Sequence, residues 1–152
     1  MFRTSVLVAL LSFGLLAGCG DDKVDDWNDL DQALGGQELN GCDGTSAAYT
    51  DLRGRASVTI TAAPNAWVDP HNACIGVSSG TEVIWGGNFD AHPLKGGLNG
   101  NEDSSSPITQ ADATSGTDPV AITFNATDNI EVEGYFCDVH KTTMRGVIAV
   151  FP

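Results

Sequence analysis

Histidine occurs only three times in the 152 residues, as His71, His92 and His140. A set that small excludes any multinuclear centre built from many imidazoles, and it leaves no spare histidine for a Ser-His-Asp arrangement. The chain also has no H-E-x-x-H segment and no Gly-rich phosphate loop ending in Gly-Lys. Positive charge is nearly as scarce, with 7 Lys+Arg against 20 Asp+Glu and a net charge of -13. A surface that acidic repels phosphate backbones, which argues against nucleic-acid binding. Apolar runs are short too. None reaches the ~20 residues that a membrane-spanning helix needs.

What is present begins at the amino terminus. Arg3 precedes an apolar stretch from Val6 to Leu16, and Leu16-Ala17-Gly18-Cys19 follows. Those are the parts of a cleaved export signal. The last four residues resemble a bacterial lipobox, which implies cleavage before Cys19 and lipidation of that cysteine. The expectation is a lipid-anchored protein of the bacterial cell envelope, periplasmic or on the outer surface. Losing residues 1–18 removes Arg3 alone, leaving six positive residues against twenty negative, a net of -14. The remaining length is room for one domain around one core.

Export places the chain where disulfides persist. With Cys19 taken by lipid, Cys42, Cys74 and Cys137 remain, and an odd number leaves one thiol over. Cys137 stands among potential metal ligands, whereas Cys42 and Cys74 do not. The economical assignment pairs Cys42 with Cys74, closing a loop of about 32 residues and stabilising by roughly 3–4 kcal/mol. The alternative is that both stay unpaired.

Gly20 to about Asn40 carries Asp21, Asp22, Asp25, Asp26, Asp29 and Asp31 and few apolar residues besides Trp27, Leu30 and Leu34. Such a charge run is expected to be a disordered acidic tether, with at most a turn or two of helix around Leu30, Ala33 and Leu34. Strand texture starts later. Ala56–Thr61 alternates, and Ile75–Ser78 and Thr81–Trp85 flank a Ser79-Gly80 turn. Gly86 to Ser106 is rich in Gly, Asn, Asp and Ser and predicts a long irregular connection. Pro119–Phe124, Ile130–Phe136 and Arg145–Phe151 read as further strands, and no long helix is expected. The predicted organisation is a signal peptide over 1–18, a tether over 19–44 and an all-β sandwich over 45–152.

Between the last two strands lies Cys137-Asp138-Val139-His140-Lys141-Thr142-Thr143-Met144, which puts Cys, His and Met within eight residues. His92, in Asp90-Ala91-His92-Pro93-Leu94, follows the strand that ends at Trp85. A thiolate, two imidazoles and a weak axial thioether form the ligand set of an electron-transfer copper site. Thiolate and thioether suit Cu(I), imidazole suits Cu(II), and a fixed compromise geometry limits rearrangement. Read singly, His92 is a surface histidine, Met144 is core packing and Cys137 is a buried inert thiol. Their joint order and spacing favour the metal reading. His71, in Asp69-Pro70-His71-Asn72, has no place in the pattern and reads as an exposed loop residue.

From roughly Ala56 to Pro152 the chain resembles the cupredoxins, in the plastocyanin/azurin family of blue copper proteins. The resemblance rests on an upstream His after Val-Ile-Trp, then aromatic-Cys-x-x-His-x-x-x-Met, then Gly-x-Ile-x-Val. It implies a Greek-key β-sandwich with one type 1 copper ion at one end, held by His92, Cys137, His140 and Met144. The chain departs from the family's usual pattern in joining a short Cys–His gap to three residues before Met. It also has Pro93 where the family often has Asn, whose backbone N–H bonds the thiolate; proline has no N–H to give.

The resemblance implies a carrier of single electrons between redox partner proteins, monomeric and not an enzyme. A copper oxidase or reductase would need imidazoles this chain does not have. A copper-storage or delivery lipoprotein is the alternative, and a sandwich that has lost its metal is another. Lys95, Lys141 and Arg145 stand near the ligands in sequence. They form either a basic collar favouring a partner with a negative face or ordinary surface charge.

Overall fold

The computed structural model describes residues 27–61 and 74–152. Cys19 and the signal segment lie outside the described residues, as does His71. In chain order the strands are β1 (Thr50–Asp51), β2 (Ser57–Thr61), β3 (Cys74–Ser78), β4 (Glu82–Gly86) and β5 (Leu94–Leu98). After them come β6 (Asn101–Glu102), β7 (Val120–Thr123), β8 (Glu131–Cys137) and β9 (Arg145–Phe151). Six of them form one sheet in the order β1-β3-β9-β8-β5-β6, and the other three form a second in the order β2-β4-β7.

Alternation becomes strand wherever one face meets a core. β2 buries Val58 and Ile60 and exposes Ser57, Thr59 and Thr61. With Val83 and Trp85 of β4 they meet Ile75, Val77, Leu94, Tyr135, Cys137, Ile148 and Val150 of the large sheet. Two sheets therefore share one interior, and the architecture is all-β in two layers as the sequence predicts. Within the large sheet Cys74 stands opposite Val147, Phe136 opposite Arg145 and Leu94 opposite Cys137. That register gathers the ends of β5, β8 and β9 at one pole. The Cys42–Cys74 disulfide is formed, as the odd-cysteine argument expects.

From Trp27 onward the acidic segment is not the disordered tether expected, although the turn or two of helix expected around Leu30, Ala33 and Leu34 is there. Trp27–Leu34 forms helix α1, and it is packed rather than solvated. Trp27, Leu30 and Leu34 are spaced three and four apart, so they share one helical face. Leu30 and Leu34 are buried against Tyr49, Ile130, Val147, Ala149 and Phe151, forming a second cluster. The aspartates stand on the remaining faces, and they outweighed the apolar stripe in the sequence. The part of 19–44 from Trp27 onward is thus ordered and covers the large sheet.

The connection over 86–106 also holds more structure than expected, because β5 and β6 lie within it. Its Lys95-Gly96-Gly97 stretch has no β-branched residue to announce a strand. Close packing explains Gly96: a Cβ there would collide with Ser106 Oγ and come within 3.2 Å of Ile108 Cβ. A four-residue helix, α2 (Pro107–Gln110), follows; the Ser106 side chain accepts from Ile108 N, and proline starts the first turn.

Candidate metal centre

His92, Cys137 and His140 come together at the pole where β5, β8 and β9 end. Cys137 is the last residue of β8 and is wholly buried. Its N–H donates to Met144 O at 2.8 Å, closing the base of the loop 137–144. Inside the loop, His140 O accepts from Thr143 N at 3.1 Å and Met144 N at 2.9 Å, a tight turn that aims the His140 ring back toward the sulfur. The next residue, Asp138, donates its N–H to Pro93 O at 2.9 Å, tying the cysteine loop to the histidine loop.

His92 is positioned by a separate turn. Asn88 Oδ1 accepts from Asp90 N at 3.1 Å and Ala91 N at 3.3 Å, while His92 N donates to Asn88 O at 3.0 Å. Buried Phe89 roots this turn in the core, its N–H donating to Gly116 O at 2.8 Å. The role of Asn88 escaped the sequence reading, although an asparagine two and three residues before the N–H groups it serves is a turn signature.

The three donor atoms form a small triangle. His92 Nδ1 lies 3.2 Å from His140 Nδ1, and Cys137 Sγ lies 3.8 Å and 3.5 Å from those two nitrogens. A point equidistant from its corners is about 2.0 Å from each. A first-row metal sits about 2.0–2.1 Å from imidazole nitrogen and about 2.3 Å from thiolate sulfur, so a cation slightly out of the plane of the triangle meets all three distances. Two neutral imidazoles facing through Nδ1 share one hydrogen bond at most, whereas a cation at the centre engages all three lone pairs. The group can therefore hold a metal ion, and a soft sulfur with two imidazoles is a donor set that copper, among others, accepts.

Met144 is 2 % exposed and belongs to the same apolar cluster as Cys137, together with Phe89, Leu94 and Ala113. The site is graded in access: Cys137 buried, His92 half-buried, His140 exposed. Beside it Val139 is 64 % exposed, the large apolar side chain most open to solvent among the described residues.

The cations near the site do not form a free collar. Lys141 Nζ is 2.9 Å from Asp138, Lys95 Nζ is 3.1 Å from Glu102, and an Arg145 nitrogen is 3.6 Å from Glu38. Each positive charge meets a carboxylate of the same chain.

Compared with family models, curated proteins and solved structures, the chain matches none.

Proposed function

We propose that this chain is a type 1 copper electron-transfer protein with the Greek-key layout of the cupredoxins, working in the cell envelope on a lipid at Cys19. The observation that carries the reading is the triangle of His92 Nδ1, Cys137 Sγ and His140 Nδ1 at the end of a two-layer β domain. His92, Cys137 and His140 would hold the copper, and the buried thioether of Met144 would be a further, weaker donor. A copper ion so held supplies a one-electron Cu(II)/Cu(I) couple.

The chain's own residues would do the rest. Phe89, Leu94 and Met144 belong to the apolar cluster around Cys137, which keeps water from the sulfur and lowers the local dielectric. The short hydrogen-bonded loop between β8 and β9 would hold the donors nearly still, so little reorganisation would accompany a change of charge. His140 would present its exposed ring to a partner, with Val139 beside it.

An absorption spectrum of the mature domain loaded with Cu(II) tests the reading directly. A strong visible thiolate-to-copper band is expected, with a reversible one-electron wave in voltammetry. A loaded protein with neither is no carrier, and one that binds copper tightly without the wave stores or delivers it. Cys19→Ser tests the anchor separately: it should move the protein from the membrane to the soluble exported fraction, and retention through a high-salt wash would count against lipidation.

A further inference from the structure

Asn40 is 1 % exposed and stands in none of the strands or helices. Its side-chain nitrogen donates to three backbone carbonyls: Gly97 O at 2.9 Å, Tyr135 O at 3.0 Å and Gly146 O at 3.0 Å. The amide has two hydrogens, so one of them is shared. Its oxygen accepts from Asn99 N, and Asn40 N donates to Asn99 Oδ1 at 3.3 Å. The orientation is therefore fixed, since a flipped amide would press an oxygen against three oxygens.

The three carbonyls belong to three neighbouring strands. Gly97 lies in β5, which begins two residues after His92. Tyr135 lies in β8, two residues before Cys137. Gly146 lies in β9, two residues after Met144. Tyr135 and Cys137 face the shared core, so Gly134 faces the opposite side, and a Cβ there would be 3.0 Å from Asn40 Nδ2 and would collide with Gly97 O. Glycine at 134 leaves the gap that the carboxamide fills.

Asn40 is itself held firmly. Leu39 and Cys42 bridge across it, with Leu39 N donating to Cys42 O at 3.0 Å and Cys42 N donating to Leu39 O at 2.8 Å. Cys42 is bonded to Cys74, whose strand runs beside β9.

We propose that Asn40 is a positioning residue of the metal centre. One carboxamide, reaching the large sheet from outside the sandwich, fixes the spacing of the three strand ends that present His92, Cys137, His140 and Met144. This rests on the copper reading for its function, but its structural half does not.

The test uses Asn40→Gly, Asn40→Asp and Leu34→Ala in the full mature domain. Asn40 has a φ of 47°, so glycine removes the amide without adding strain. Aspartate keeps the shape and turns a carboxylate oxygen toward three carbonyls. Leu34→Ala loosens the helix packing while leaving the carboxamide alone, and so reports lost stability by itself. In the metal-free protein, both Asn40 variants should speed amide exchange at Cys137 and Met144 by about tenfold relative to Ile60, the factor for one buried hydrogen bond. After Cu(II) loading they should shift the thiolate-to-copper band, while Leu34→Ala leaves it at the wild-type position. Unchanged exchange and band in both Asn40 variants, or an equal band shift in Leu34→Ala, overturns the inference. A wild type with no such band overturns the copper reading instead, and the metal-free exchange then still measures the hold of Asn40 on the loop.

Discussion

Cys137 is buried and His140, three residues on, is exposed, so one short loop spans the whole distance from core to solvent. Each end should respond differently to substitution. On the copper reading, Cys137→Ser should abolish the intense visible band while the domain stays folded, because the strands build the core and the thiolate would be the chromophore. A variant still strongly blue or green would mean that another residue holds the metal. Pro93 offers a subtler change. Its carbonyl accepts from Asp138 N, a bond that any residue can keep, but it has no N–H to offer the thiolate. An added donor would draw density from sulfur and weaken its hold on Cu(II). Pro93→Asn and Pro93→Ala should raise the reduction potential by about 30–60 mV, roughly a three- to tenfold change in the redox equilibrium. Voltammetry giving an unchanged or lower value, with the spectrum intact, would remove Pro93 from the tuning of the site. Of the three donors that the structure brings together, Cys137 and His140 were legible because they stand three residues apart in one loop, and His92 because it follows the strand that ends at Trp85. Asn40 was not, since its bonds reach partners 57 to 106 residues away and no local pattern records them.

β2, which alternates buried and exposed residues, and β9, a nearly continuous apolar run buried on both faces, could be read directly from the sequence. β5 could not, because Gly96 is fixed by a close approach from Ser106 that the linear sequence does not display. α1 was partly legible, since a turn or two of helix was expected around Leu30, Ala33 and Leu34, but its packing was not: charge density argued for a tether, and only the stripe of Trp27, Leu30 and Leu34 stood against it. Leu30→Ala separates the two readings. On a solvated tether it would be nearly neutral, whereas at a fully buried position it should cost about 2–4 kcal/mol in denaturant unfolding. β8 carries a second element-scale test in Glu133. Burial pushes its carboxyl above the ordinary range, with Asp103 and Glu131 adding to the rise and Ser106 opposing it. A raised folded value favours the protonated form, so the stability it contributes is full at low pH and is lost as pH rises through that value. Glu133→Gln should therefore raise the melting temperature at neutral pH, with the gain fading in acid. A gain that persists unchanged at about pH 3 would put the cause elsewhere than the charge.

At the scale of the whole molecule the dominant fact is its sign. The mature chain would carry a net charge of -14, and the three cations near the metal site are each matched by a carboxylate of the same chain. Such short pairs cancel beyond a few ångströms, so an approaching partner meets the field of the unpaired acids rather than a basic rim. The sequence left a basic collar and ordinary surface charge both open, and the pairing favours the second: Glu102 lies seven residues from Lys95, whereas the fold alone brings Glu38 beside Arg145. Small redox probes that enclose their charge and share no specific docking should report this field. With the copper-loaded domain, a cationic cobalt or ruthenium complex should exchange electrons faster than an anionic cyanide complex of equal driving force, by about tenfold or more at low salt. The advantage should shrink steadily as ionic strength rises and the screening length falls to about 10 Å near 0.1 M. If the anionic probe is instead the faster one at low salt, the lysines and arginine govern approach to His140 despite their pairing, and a partner with a negative face becomes the better fit.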